Sequence, residues 1–450
     1  MATPPAATLF FSPAMTPAPR KPLLLLSLSL PVLLLLFSLV FLLSHTTFSL
    51  LLCPLLPQSP SRSANATTTT SPPSAAATSL DASMDKTLRA FHLSSSPPSP
   101  PPLVVVKTTN SKKASTKKRN KSLVKLLLRQ TPRTRRFASR AAELFAPQPP
   151  ARPCARRFFM TWLSPLEQFG SREPLVLETL FRWHPDACVL IASDTMDSPD
   201  GATKLSPFAD RGFRVAALSP DLAHLLAGTP AEPWLASVRR GEVSPGSVPL
   251  GQNLSNLLRL ALLYKYGGVY LDADVVVLRP FMELGARNAI GAQAVDAATG
   301  EWTRLNNAVM VFDRPGHPLL REFIAEFAAT FDGSKWGHNG PYLVSRVVAR
   351  LRGRMMPWLG VTVLPPRAFY PVDWNRIGGL FVSPKDRKGE KWVKAKVDSI
   401  KGKSFGIHLW NRESRGMEVE EGSVIGRLIA DSCLFCNSSM QGYLKGKSVS

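Results

Sequence analysis

Asp272 and Asp274 stand one residue apart in an otherwise apolar stretch, KYGGVYLDADVVVL at 265–278. Side chains alternate along a strand, so Tyr270, Asp272 and Asp274 would face one side and Val269, Leu271 and Ala273 the other. Two ionised carboxylates taken out of water are costly without a positive partner. A hard divalent cation is one such partner, its open positions left to water and a phosphate. An arginine or a set of backbone donors in a loop is the other. His408, late in the stretch FGIHLWN (405–411), can complete a metal set because imidazole also binds Mn2+-like ions. A bare D-x-D is common, and it is the order helix, Gly-Gly, strand, D-x-D that favours the metal.

A second group of polar residues lies at His338, Asn339 and Gly340, directly before Pro341. Proline suits the first turn of a helix, and the free N–H groups there suit a diphosphate. His338 would donate a proton or hydrogen bond to a leaving phosphate, with Trp336 and Asn339 beside it; capping of its own loop is the alternative. Asn306 and Asn307, at the start of the strand NNAVMVF, would reach sugar hydroxyls or satisfy backbone groups. His408 is joined by Trp410 and Asn411 as further candidates.

The elements that must position these residues are legible in part. RRFFMTWLS (156–164), ACVLIAS (187–193) and FRVAALS (213–219) read as strands, and REPLVLETLFRWHP (172–185) as a helix. Their alternation argues for a layered α/β sheet with parallel strands. In NLSNLLRLALLYKY (253–266) apolar residues recur at helical spacing, and Gly267-Gly268 supplies the stop. Helices opened by Pro318 and Pro341 flank the loop DGSKWGHNG (332–340).

The N-terminal third has a different character. Residues 23–43 form a 21-residue apolar run without a charge, long enough to span a bilayer, with Arg20 and Lys21 before it. Positive flanks stay cytoplasmic, and the run exceeds a signal-peptide core of about 7–15 residues. The expected organisation is a cytoplasmic tail (1–22), a signal anchor (23–43), a Pro/Ser/Thr-rich and basic stem (44–150) and a luminal catalytic body (151–450). The first 150 residues carry +15 of the net charge of +23, and residues 107–140 hold 13 Lys or Arg with no acid. No aromatic platform or nucleic-acid motif accompanies that run, and the compartment is wrong, so nucleic acid is excluded as a partner. A solvated stem touching acidic glycans or headgroups is expected instead. An oxidising lumen permits disulfides among Cys154, Cys188, Cys433 and Cys436. Strands opened by Cys154 and Cys188 would meet if adjacent, and the C-terminal CxxC is either a local disulfide or two thiols. Sequons at Asn65, Asn120, Asn253 and Asn437 agree with luminal placement.

The residues also carry a resemblance. LSNLLRLALLYKYGGVYLDADVVVL resembles the donor-binding core of glycosyltransferases with a DxD sugar-binding region. Together with WGHNGPYLVSRV (336–347), FYPVDW (369–374) and FGIHLWN (405–411), residues 156–412 resemble the α-1,4-glycosyltransferase family, in a plant-like form. The resemblance implies a GT-A-like, Rossmann-type fold with a mixed central sheet. It also implies Mn2+ or Mg2+, a nucleotide-sugar donor, most simply UDP-linked, and transfer with retention in the Golgi lumen. Asp274 would bind the metal directly; Asp272 would contact the ribose or sugar and reach the metal through water. Arg259 and Tyr270 would approach the donor, and Thr161 and Trp162 would cradle the uracil, Trp162 being equally placed for the core. Gly340, Asn306, Asn307, Trp336, Trp410 and Asn411 complete the implied donor site. Relatives often carry Ser-Asp where this chain has Ser255-Asn256, so donor choice cannot be copied to it. The acceptor would be a glycan, glycolipid or cell-wall polysaccharide, and association with itself or another chain is left open. The competing reading is a catalytically silent, membrane-anchored scaffold of the same fold.

Overall fold

The computed structural model describes residues 128–147, 154–352 and 359–435, with Ser122 and Val124 besides. The expected tail, anchor and most of the stem lie outside these residues. Among the described residues no helix is long and apolar enough to cross a membrane.

Nine strands order the described residues. β1 (Arg156–Thr161), β2 (Ala187–Ala192), β3 (Arg214–Leu218) and β4 (Gly268–Leu271) run parallel to their neighbours in the order β3-β2-β1-β4. β5 (Val275–Val277) leaves this sheet. β6 (Asn288–Val295), β7 (Trp302–Phe312) and β8 (Val361–Leu364) extend it as β4-β7-β6-β8, with β7 antiparallel to both neighbours. β9 (Gly406–His408) pairs antiparallel with β5 in a second, two-stranded sheet. The sheet is therefore mixed, as expected.

Period-two alternation divides the core into two layers. Phe158, Met160, Val189, Ile191, Val269 and Leu271 face the helices Arg172–Trp183, Arg387–Lys403 and Val424–Ser432. Phe159, Leu190, Tyr270, Ile290 and Met310 face the helices Leu250–Tyr266, Pro318–Thr330 and Pro341–Leu351. Gly267 and Gly268 join the long central helix to β4 at φ 61° and 126°, and a Cβ on Gly268 would lie 2.4 Å from the Arg157 carbonyl oxygen. Only glycine fits that approach.

Two expectations need correction. VYLDADVVVL is not one strand: β4 ends at Leu271, Asp272 N–H still reaches the Ala308 carbonyl (2.8 Å), and Val275 N–H turns back to the Asp272 carbonyl (3.1 Å). The chain then switches sheets, because β7 pairs with β4 only as far as the Leu271–Val309 register while β9 takes up β5. Second, the end of the expected solvated stem is folded. Thr131 and Thr134 cap each other at the start of the helix Pro132–Arg135, and the helix Phe137–Phe145 buries Phe137 and Ala141 completely. Arg140 pairs with Asp197 at 2.8 Å, Arg133 donates to the Asp197 carbonyl, and Arg214 donates to the carbonyls of Leu144 and Ala146. Part of the basic run is thus a clamp on the body. Cys154 and Cys188 are disulfide-bonded across β1 and β2, and Cys433 is also in a disulfide. Asn253 is only 3% exposed inside its helix, so this sequon has no room for a glycan in the folded chain.

Candidate functional site

The two aspartates project at the C-terminal ends of β1 and β4, where open parallel sheets bind ligands. Breaking the strand at Asp272 sets the carboxylates on a tight turn rather than in a register row, and they still converge. Asp272 has a counterion within the protein. The Arg259 guanidinium lies 3.1 Å from its Oδ1, donates to the Asn307 carbonyl (2.7 Å) and stacks 4.4 Å over the Tyr270 ring. Tyr270 donates its hydroxyl proton to Asp272 Oδ1 (2.8 Å), and Thr161 sits 2.8 Å from the same hydroxyl and 2.6 Å from Ser255 Oγ. Burial pushes the Asp272 carboxyl up; Arg259 opposes this and the neighbouring Asp274 charge adds to it, leaving it above the usual range.

Asp274 looks the other way. Its Oδ1 lies 3.3 Å from His408 Nε2, and its Oδ2 accepts the Asn411 N–H at 2.8 Å. The β5–β9 pairing sets Val275 opposite His408, which is why residues so distant in sequence meet here. Burial opposes charge on Asp274, but His408 and the Asn411 N–H outweigh it and hold its carboxyl below the usual range. Burial likewise disfavours the His408 cation, and Asp274 reverses that, raising the imidazole. The turn that presents His408 and Asn411 is strained: Trp410, at φ 54°, has positive φ alone among the described non-glycine residues. Its indole N–H is anchored on the Val372 carbonyl (2.9 Å) and its ring packs 4.3 Å from His408.

Of the two negative charges, Arg259 neutralises one. The other pairs with the His408 imidazole, whose proton a divalent cation would displace on binding the neutral ring. Ligand atoms of Asp272, Asp274 and His408 lie within 4.8 Å of one another, and two carboxylates with one imidazole suit Mn2+ or Mg2+ rather than a soft metal. The donor set fits the expected ion.

A cleft of about 880 Å³ opens beside the pair, lined among others by Thr161, Trp162, Gln252, Ser255, Asp272, Asp274, Asn411 and Arg415. Trp162 is 5% exposed, with Phe169 against its edge and Arg415 5.3 Å over its ring. It serves the core and borders the cleft at once. Ser255, Arg415 and Arg172 escaped the sequence reading. Arg172 N–H donates to Asn411 Oδ1 (2.9 Å), and Arg415 pairs with Glu173 (2.9 Å). Two arginines fixing one loop have no signature in a linear sequence.

The remaining candidates form a supporting layer away from the cleft lining. Asn307 donates to Asn256 (2.9 Å), while Asn306 bonds Gln293 (3.0 Å) and the Ala308 N–H (2.9 Å). Asn339 donates to Asn253 (3.0 Å) and the Asp332 carbonyl (2.9 Å), and His338 Nε2 contacts the Thr330 carbonyl at 2.8 Å. These bonds close the 332–340 loop, the capping alternative for His338. Gly340 lies so close to Asn256 that a Cβ would sit 2.6 Å from its amide oxygen. Trp336 is 46% exposed and stacked under Arg412 at 4.1 Å, outside the cleft.

Fold and site define the class: an α/β protein with a D-x-D turn beside a deep cleft, matching the glycosyltransferase sugar-binding region containing a DXD motif over residues 170–293. The α-1,4-glycosyltransferase conserved region matches residues 312–440. The chain belongs to the α-1,4-glycosyltransferase family. It is 30% identical to mouse (Mus musculus) lactosylceramide 4-alpha-galactosyltransferase over 60% of this chain and 71% of that protein. An uncharacterised Arabidopsis thaliana protein is 33% identical over 63% of this chain, but the match spans only 42% of that relative. The galactosyltransferase LgtC, solved with donor and acceptor sugar analogs, aligns at 13% identity and a TM-score of 0.32 over 64% of this chain and 100% of its own, too low a score to bear on function.

Proposed function

We propose that this protein is a metal-dependent, retaining hexosyltransferase of the Golgi lumen. In this reading it transfers galactose or N-acetylglucosamine from a UDP-sugar to a glycan, glycolipid or polysaccharide acceptor in an α-1,4-type linkage. The observation that carries the reading is the Asp272–Asp274–His408 donor set beside the cleft, with Arg259 already balancing one carboxylate. Family membership and the apolar run at 23–43 support the transferase and the anchored, luminal placement respectively.

A bound divalent ion would neutralise charge developing on the diphosphate and so improve it as a leaving group. Asp274 and His408 would hold that ion, while Tyr270 and Arg259 keep Asp272 oriented toward it. Trp162 and Thr161 at the end of β1 would flank the nucleotide. The anomeric C–O bond to phosphate breaks with its electron pair leaving on the diphosphate. The acceptor hydroxyl oxygen bonds to the anomeric carbon on the same face, and its proton passes to the departing phosphate oxygen. No protein nucleophile is required, and the two acids of the D-x-D turn are already committed to Arg259, Tyr270, His408 and Asn411.

The test is turnover by the full-length chain in detergent, offered UDP-galactose and UDP-N-acetylglucosamine with Mn2+ or with a chelator. Metal-dependent donor hydrolysis or transfer is expected, and Asp274→Ala should lower it by about 100-fold or more without unfolding the protein. A fully active Asp274→Ala variant would remove the assigned metal role. A folded wild-type protein inert toward a broad donor panel would favour the silent-scaffold reading.

A further inference from the structure

The 408–412 turn, which carries the candidate metal ligand, is in contact with one exposed indole, and the segment that anchors it carries another. Arg412 lies 4.1 Å from the ring of Trp336, which is 46% exposed. Trp410 is tied to the Val372 carbonyl at 2.9 Å, and two residues on, Trp374 is 49% exposed. In the same turn Asn411 N–H holds Asp274 Oδ2 at 2.8 Å. Trp336 is thus joined through Arg412 to the turn that holds the carboxylate at which the reaction is placed, and Trp374 lies two residues beyond the carbonyl that anchors the same turn.

Neither indole is needed for the core. A tryptophan left half in water normally finds cover, and exposed aromatic surface commonly marks a binding site. Trp336 is moreover displayed on a rigid mount. Asn339 closes the 332–340 loop against Asn253 and Asp332, and His338 fastens it to Thr330. Tyr342, 45% exposed, continues the same surface: it packs on Gly337 and carries Arg304 4.8 Å from its ring. Guanidinium groups interleave with these rings, Arg412 over Trp336 and Arg304 over Tyr342. A lipid tail or an apolar protein face would need contiguous hydrophobic area. A pyranose presents a flat C–H face to stack on an indole and a hydroxyl rim to meet guanidinium groups. The nucleotide has its place elsewhere, in the cleft beside Trp162.

We propose that Trp336 and Trp374 are the acceptor platform, stacking successive hexose units of a neutral oligosaccharide so that its terminal hydroxyl enters beside Asp274. This rests on the transferase reading above and assigns Trp336 to the acceptor rather than to the donor.

The test uses full-length wild type, Trp336→Ala, Trp374→Ala and Trp336→Phe. Each is measured for binding to immobilised lactose, N-acetyllactosamine, cellobiose and xylobiose, and for UDP-sugar hydrolysis without acceptor. Loss of one stacking ring should lower glycan affinity relative to donor hydrolysis by about tenfold, and Trp336→Phe should recover part of it. Equal glycan binding by wild type and both alanine variants overturns the proposal, as does wild type that binds none of these saccharides. A parallel fall in glycan binding and hydrolysis also overturns it, since the ring would then serve the donor or the fold. Absent wild-type hydrolysis with tryptophan-dependent glycan binding would instead count against the transferase reading and leave the platform standing.

Discussion

Arg259 shows why the paired aspartates are affordable. Its side chain is 6% exposed, bridges Asp272 and the Asn307 carbonyl, and lies flat on Tyr270. Arg259→Leu would leave a partly buried carboxylate, its side chain 26% exposed, without its cation, an expected loss of about 1–3 kcal/mol read from urea unfolding. Destabilisation below about 1 kcal/mol would mean that Asp272 is balanced by something else. His184 makes a prediction with a definite sign. Burial, with the nearby Arg156 adding, pushes its imidazole down to about 4, and its Nε2 accepts the Phe281 N–H. It stays neutral in the fold while the unfolded chain takes up a proton near pH 6.5, so its contribution is lost as pH falls from 6.5 toward 4. At pH 5 this amounts to about 2 kcal/mol. Asp194, pushed up to about 6 by burial against the opposing Ser219 bond and with Asp197 adding, works in the opposite direction. The wild-type curve is therefore compared with His184→Gln, which should lose less stability between pH 7 and pH 5. At this scale the sequence showed Asp272, Asp274 and His408 by type and spacing, and Arg259 through the family resemblance. It could not show Ser255, Arg172 or Arg415, whose roles come from contacts between remote elements.

Elements were legible where period and punctuation agreed. The helix Leu250–Tyr266 and its Gly-Gly stop stand as read, and so do the helices opened by Pro318 and Pro341. The sheet switch at Asp272 was hidden because the apolar pattern runs on unbroken through Val275–Val277, and nothing local marks the partner strand near residue 406. β6, NAIGAQAV, has only Ile290 and Val295 as β-branched residues, set among Ala and Gly, and Arg387–Lys403 is lysine-rich with only Val393, Val397 and Ile400 buried. The helix Phe137–Phe145 was masked by its basic neighbours, although its aromatic ends are those of a docking helix. Its Phe137 is fully buried, so Phe137→Ala should cost about 3–5 kcal/mol, measured by chemical denaturation. An unchanged midpoint would show that this helix is not part of the cooperative unit.

Across the whole molecule, the basic segment has two functions in sequence: Arg133 and Arg140 fasten it to Asp197, and Ser122 reaches the wall of the cleft. A fragment beginning at residue 150 would remove this clamp, and is expected to be less soluble and less stable than one beginning at residue 104. Comparison of their thermal midpoints checks this, and equal midpoints would restore the linker interpretation. The parallel half of the sheet, the antiparallel return through β7 and the separate β5–β9 pair all converge on the turn at 272–274. The central claim is therefore that this turn, with His408, holds one divalent ion and through it a nucleotide-sugar. The most direct measurement is Mn2+ binding in the presence of UDP, by calorimetry or by the Mn2+ electron paramagnetic resonance signal, on wild type and Asp274→Asn. One ion per chain, lost in the variant while the fold is retained, is the predicted result; equal binding by both proteins, or none by wild type, would contradict it.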